Sequence, residues 1–133
     1  PDSPGEQTTL QVRAGRDWCA GDETGGNGPS AVDPDADVST GSRVGEITLD
    51  TTFAGREPAV SISWRTHSGS MVSAPVFTHA TIYVPPGEHY FCAEPITHAP
   101  NAVNSSRSAS ETGLKWLVPG DTLTGSIVLS VNH

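Results

Sequence analysis

One segment of the sequence combines a carboxylate with the kind of surroundings that general acid–base chemistry uses. Residues 90–104 read Tyr-Phe-Cys-Ala-Glu-Pro-Ile-Thr-His-Ala-Pro-Asn-Ala-Val-Asn, so Glu94 stands at the end of an apolar run. Apolar surroundings disfavour the charged form of a carboxylate, which favours proton transfer near neutral pH. Pro95 is predicted to end the strand, with His98 in the loop that follows. Glu94 is therefore the leading candidate for chemistry in this chain.

Three segments resemble, in the same order along the chain, the sequence of one enzyme family. Residues 49–55 (LDTTFAG) resemble a family segment LDDxFxG, and residues 113–121 (GLKWLVPGD) resemble a family ending GLxxLxPGES. The segment around Glu94 resembles the family pattern (F/C)xEP(V/I)(T/S)H, followed by P(D/N)A(V/I/F)N. On these motifs, the chain resembles the C-terminal part of the aldose 1-epimerases, or galactose mutarotases.

The resemblance implies a role for two residues, Glu94 and Asp50. Glu94 would be the catalytic base that acts on the anomeric hydroxyl of a sugar, and Asp50 would accept hydrogen bonds from sugar hydroxyls. A carboxylate suits that second task because it accepts charge-assisted hydrogen bonds at two oxygens. Phe53 and His98 complete the expected substrate-binding set. Residue type and spacing alone favour a turn residue for Asp50, a loop anchor for His98 and a core residue for Phe53.

The resemblance also implies that part of the catalytic machinery lies elsewhere. In the family, the acid that protonates the ring oxygen is a histidine in a His-Pro segment on the N-terminal side, and this sequence contains no His-Pro. The chain begins at Pro1, and Met71 is its only methionine. We therefore expect a fragment, whose partner is the missing N-terminal half or a second copy of the chain.

The pattern of apolar residues predicts an all-β fold. Period-two alternation or short apolar runs, which are typical of strands, occupy residues 10–14, 60–64, 76–84, 90–93 and 123–131. Clusters of Gly and Pro separate these runs, as turns do. With the resemblance, this predicts a large antiparallel β-sandwich of the galactose-mutarotase type, of which this chain forms the C-terminal part.

The domain organisation follows from the same pattern. Residues 1–133 are predicted to form a single domain or the C-terminal portion of one. Two polar stretches, about 20–45 and 105–112, are predicted to be surface loops. Cys19 and Cys92 are expected to be free thiols rather than a disulfide.

Composition narrows the classes of partner. Seven Lys and Arg against fifteen Asp and Glu give a net charge of −8, and no basic stretch is present to neutralise phosphates. Nucleic acid and anionic membranes are therefore not expected as partners, whereas a neutral hexose is compatible. No histidines stand at metal-ligand spacing, so we expect no metal and no other cofactor. A cytoplasmic location is favoured.

Two other functions remain open from sequence. The chain could be a carbohydrate-binding β-sandwich module without catalysis, which the missing histidine favours. It could also be a structural β-sandwich, such as a shell or adhesion domain. The shared order of the three motifs favours the isomerase that interconverts α and β anomers of a free hexose.

Overall fold

The computed structural model describes residues 8–13, 16–18, 37–55, 59–63, 67–88 and 90–132. Its strands are β1 (Thr9–Arg13), β2 (Arg16–Trp18), β3 (Ser42–Arg43), β4 (Leu49–Ala54), β5 (Ala59–Ser63), β6 (Ser68–Ser73), β7 (His79–Val84), β8 (Cys92–Ile96) and β9 (Ile127–Asn132). Single turns of 3-10 helix span Val44–Glu46 and Ala102–Asn104, and one short α-helix, α1, spans Ala109–Thr112.

The strands form two antiparallel sheets. One sheet has five strands in the order β3-β1-β5-β6-β9, and the other has four strands in the order β2-β4-β7-β8. Every pairing in both sheets is antiparallel. The all-β prediction is confirmed.

The hydrophobic core lies between the two sheets. The four-stranded sheet contributes residues of β4 and β7, and the five-stranded sheet contributes Val60 of β5 and Met71 of β6. Within β4, Leu49 and Phe53 are buried in this core, because residues two or four positions apart on a strand point to the same face. Full burial of a side chain such as Phe53 contributes about 1.5–3 kcal/mol. This arrangement is a β-sandwich.

The alternating runs located β1 and β5 to within one residue. Residues 10–14 and 60–64 were predicted as strands, and the structure has them at Thr9–Arg13 and Ala59–Ser63. The long run 76–84 forms a strand only from His79, and the final run forms a strand only from Ile127. A turn at residues 75–76 delays the first of these strands, and residues 123–126 have no regular secondary structure.

The prediction that Pro95 ends its strand is wrong, and so is the position of that strand. Instead of residues 90–93, β8 spans Cys92–Ile96, and Pro95 pairs with Ala80 of β7. Proline has no N–H to donate, but among the described strands β8 lies at the edge of its sheet, where one side needs no partner. Tyr90 is exposed rather than covered on both faces.

The two predicted loops contain regular structure. Residues 105–112 include α1, which begins after the N-cap Ser108 with a capping box formed by Ser108 and Glu111, and ends at Gly113. The described part of the stretch 20–45 includes β3, while its residues up to 36 lie outside the described residues, as does Cys19. Cys92 is a free thiol.

Candidate functional site

The outer face of the four-stranded sheet, turned away from the core, presents an ordered array of side chains. Strands β4, β7 and β8 are adjacent, and their register aligns residues into rows across the sheet. The rows are Asp50–Tyr83–Cys92, Thr52–Thr81–Glu94 and Ala54–His79–Ile96. These residues alternate along each strand with core residues such as Phe53, Ile82 and Val84, so they share the opposite face.

Glu94 occupies the edge of this array. It lies opposite Thr81 on β7, and its side chain is exposed. The expectation of apolar surroundings is therefore wrong for this chain, because no described strand lies beyond β8 and the carboxylate is open to solvent. As an exposed carboxylate on an open sheet face, Glu94 can reach a ligand that rests on that face.

Asp50 faces the same side two strands away. It is exposed and lies one row from Glu94, opposite Tyr83. Strand spacing of about 4.8 Å and a rise of about 3.4 Å per residue place the two α-carbons roughly 12 Å apart. A small polar ligand that rests on this face can therefore lie between the two residues.

A pair of hydroxyl groups lies between the two carboxylates. The Oγ1 atoms of Thr52 and Thr81 are 2.8 Å apart, and Thr52 is buried. This hydrogen bond ties the middle row of the array together beside Glu94. Sequence reasoning missed both threonines, although the alternation Asp50, Thr52 within the segment LDTTFAG placed Thr52 on the face of Asp50.

The structure does not bring Phe53 to this face. Phe53 is only 2% exposed and packs in the core. It is offset by an odd number of residues from Asp50, so the strand geometry turns it to the other side of the sheet. Its contribution is to support β4 from beneath, not to contact a ligand.

His98 lies beyond the end of β8, four residues after Glu94. Its side chain is exposed, and its Nδ1 is 2.9 Å from Thr97 Oγ1. It also lines an open groove of about 400 Å³ with Phe77 and the segment 95–100. The contact with Thr97 fits the loop-anchoring role that residue type alone allowed.

Residues 97–114, here called the covering loop, pack against the end of the four-stranded sheet. Thr78 Oγ1 donates a hydrogen bond of 2.9 Å to the carbonyl of Thr97, and it lies 2.8 Å from Nδ1 of the buried His79. The N–H of Ala99 donates to the carbonyl of Thr112 at 2.7 Å. These bonds hold the covering loop beside the row Ala54–His79–Ile96 of the array.

Gly113 allows the covering loop to approach so closely. Its φ is +74°, and an added Cβ would collide with Thr78 Oγ1 and lie 2.6 Å from the carbonyl oxygen of Thr97. Glycine adopts this left-handed conformation without a steric penalty and also ends α1. A side chain here would push the loop away from β7.

The start of α1 is fixed by Glu111. The hydroxyl and the N–H of Ser108 both donate to its carboxylate, at 2.8 and 3.1 Å. These hydrogen bonds from Ser108 lower the pKa of Glu111, with a smaller contribution from the nearby Arg107 guanidinium. The charged form of Glu111 thus stabilises the fold of the covering loop.

Two classes of feature are not found in the described part of the chain. Among those residues, no group of three or more His, Cys, Asp or Glu side chains could hold a metal ion. None of the helices that the structure describes is long and apolar enough to cross a bilayer.

The fold has a counterpart among solved structures. No family model matches the sequence. A crystal structure from Escherichia coli K12, named "Putative aldose 1-epimerase", shares the fold over 96% of this chain, with a TM-score of 0.72 and 20% sequence identity. The match covers 46% of that chain, so the present chain spans less than half of its length. The resemblance seen in the motifs thus extends to three dimensions: the fold of this chain is that of part of an aldose 1-epimerase-like β-sandwich.

Proposed function

We propose that this chain carries the base-bearing part of an aldose 1-epimerase-like isomerase, which interconverts the α and β anomers of a free hexose. The observation that carries the proposal is the shared outer face of Asp50 and Glu94, on a fold similar to that of the Escherichia coli protein. Both carboxylates are exposed, so a sugar resting on this face can contact both.

The proposed reaction is a ring opening and closure by general acid–base catalysis. Glu94 takes the proton from the C1 hydroxyl of the sugar while an acid donates a proton to the ring oxygen. The C1–O5 bond breaks to give the open aldehyde, and rotation about C1–C2 exposes its other face. Closure reverses the two proton transfers, so no atom is gained or lost. Each proton-transfer group contributes about 10²–10⁴-fold to the rate.

The other residues of the array have supporting roles in this proposal. Asp50 accepts hydrogen bonds from sugar hydroxyls on the side away from Glu94. The hydrogen-bonded Thr52–Thr81 pair holds β4 and β7 in register beneath the sugar. His98 helps to order the turn after β8 through Thr97. The acid is supplied from outside residues 1–133.

The test replaces Glu94 with Gln in the complete protein. We expect kcat for anomer interconversion, followed by polarimetry on freshly dissolved α-hexose, to fall by about 10²–10⁴-fold. Sugar affinity should be nearly retained, because the amide keeps the shape and one acceptor oxygen. Asp50→Asn should instead act mainly on KM.

Glu88→Gln is the matched control, since Glu88 is an exposed carboxylate in the turn after β7 and outside the array. It should leave both constants unchanged. A Glu94→Gln protein that turns over hexose at the native rate would remove Glu94 from the mechanism.

The second candidate function is sugar binding without catalysis. The absence of a His-Pro segment favours it, because residues 1–133 then lack the family's acid. It predicts that calorimetry detects hexose binding while polarimetry of the complete protein detects no acceleration of anomer interconversion.

A further inference from the structure

The middle row of the array, Thr52–Thr81–Glu94, brings two hydroxyl groups up to the candidate base. Thr81 stands between the other two residues, because it pairs with Thr52 of β4 on one side and with Glu94 of β8 on the other. Directly opposite residues of an antiparallel pair have β-carbons about 4.5–5.5 Å apart. The long Glu94 side chain can therefore turn its carboxylate back to the Thr81 hydroxyl on the same face.

The burial of Thr52 bears on the direction of the hydrogen bond between the two threonines. Their Oγ1 atoms lie 2.8 Å apart, and by geometry alone either could donate. Thr52 is only 4% exposed, whereas Thr81 is half-buried. A buried hydroxyl that does not donate leaves its proton without an acceptor, which is costly, whereas the proton of Thr81 can reach solvent or a ligand. This favours Thr52 as the donor and leaves Thr81 its own proton for another acceptor.

Glu94 is the acceptor best placed for the Thr81 proton. The next residues on the same face of β7 stand two positions along the strand, roughly 7 Å away, so the cross-strand carboxylate is nearer. A hydrogen bond from a hydroxyl to a carboxylate is also shorter and stronger than one between neutral groups. Glu94 is exposed in the free chain, and hydrogen bonds to a catalytic group commonly tighten only when substrate is bound.

We propose that Thr81 is the positioning residue of Glu94. With a sugar on the outer face, the Thr81 hydroxyl donates to one oxygen of the carboxylate and leaves the other oxygen directed at the C1 hydroxyl. Thr52 holds the Thr81 hydroxyl in that orientation from the buried side. An exposed glutamate has several rotatable bonds, and restricting them brings the base into line for proton transfer. This inference rests on the proposed function, because it takes Glu94 as the base.

The test replaces Thr81 with Val in the complete protein, which keeps the shape of the side chain and removes the hydroxyl. We expect kcat for anomer interconversion to fall by about 10–100-fold, the range that loss of a hydrogen bond to a charged group produces. KM should be nearly unchanged, because Thr81 acts on the base and not on the binding of the sugar. Thr81→Ser restores the hydroxyl and should retain most of kcat.

Thr51→Val is the matched control. Thr51 is a half-buried threonine of the same sheet, but it pairs with the core residue Ile82 and so faces away from the array. Its replacement should leave both constants unchanged. The paired variant Thr52→Val/Thr81→Val guards against a loss of folding, because replacing both partners of a hydrogen bond by apolar groups of the same shape is nearly neutral for stability. It should lose kcat as Thr81→Val does.

The same substitution in the Glu94→Gln protein separates positioning from a structural role. Thr81→Val should lower kcat by less than about twofold there, because the charged base that the hydroxyl orients is already gone. An equal loss in both backgrounds, or native kcat in Thr81→Val when Glu94→Gln is impaired, would overturn this inference and leave the proposed function standing. Native turnover by Glu94→Gln would overturn both.

Discussion

The covering loop and the C-terminal segment, residues 115–132, follow each other along the chain, yet the polar loop has buried residues whereas every residue of the apolar segment is exposed. The covering loop is rich in Ser and other polar residues, but Thr112 is only 1% exposed and Ala99 and Ala102 are buried. The C-terminal segment is rich in apolar residues, but Trp116 is 75% exposed. The difference in burial comes from where each segment lies. Thr78 and Gly113 allow the loop to pack against β7 and β8, whereas the C-terminal segment ends in a strand at the edge of the described sheet. Apolar sequence thus marks surface that favours a contact, even where the described residues do not provide it.

The largest expected effect comes from shortening two cross-strand partners that differ in burial. Met71 is buried, whereas Leu129 opposite it is exposed. Met71→Ala should lower the free energy of unfolding by about 2–5 kcal/mol, because it removes a buried side chain and leaves a cavity. Leu129→Ala on the adjacent strand of chain 1–133 should change it by less than about 0.5 kcal/mol, as at most exposed positions. Urea unfolding measures both. Equal losses would mean that β9 is already covered in this chain.

A second test compares glycines with positive φ in the two regions. Gly113→Ala should cost about 3 kcal/mol, since strain in the left-handed conformation adds to the collision with Thr78 and Thr97. Gly120→Ala has the same kind of backbone, with φ +99°, but no atom within 4 Å of the added Cβ. It should cost only the backbone strain, about 1–2 kcal/mol. Thermal unfolding of both variants separates close packing from backbone conformation.

The smallest expected effect is the pH dependence of the covering loop. Hydrogen bonds from Ser108 lower the pKa of Glu111 in the folded protein. Its contribution to stability is therefore present above the pKa of the unfolded chain, ordinarily about 4.3, and is lost as the pH falls through the lower folded value.

Glu111→Gln should reduce stability near neutral pH and leave it unchanged below the folded pKa. The effect should be small because the carboxylate is exposed. Thermal midpoints across this pH range, with Glu88→Gln as the control, measure it. A Glu111→Gln variant whose loss of stability is the same at every pH would assign the effect to packing instead of charge.

Much of the fold followed from the sequence because alternation is a local signal. The alternation of Leu10 with Gln11 and of Val60 with Ser61 predicted β1 and β5, and the all-β class with them. Strand β6, with the sequence SGSMVS, carries no comparable alternation and was missed. Its place in the sheet depends on pairing with β5 and β9, which no local pattern reveals.

The role of the candidate site stays a prediction, whereas the position and exposure of its residues can be compared with the sequence. The motifs predicted Glu94 and Asp50, and the strand register places both on one face. The exposure of Glu94 could not be predicted, because it depends on β8 being the last of the described strands in its sheet. Phe53 was assigned to the site through its motif, although its odd offset from Asp50 predicts the opposite face. The helix α1 had a readable signal in Ser108 and Glu111, the spacing of a capping box.

The free edges of the two sheets differ in how readily another strand can add to them. On β8, Pro95 removes one N–H from the ladder, and the charged Glu94 stands next to it; both features discourage another chain from adding to that edge. Strand β9, Ile-Val-Leu-Ser-Val-Asn, has neither a proline nor a charge. The edge at β8, beside the candidate site, is therefore protected against strand addition, whereas the edge at β9 is open to it. Handled in isolation at high concentration, it should aggregate through β9, and a single lysine on that strand should keep it in solution.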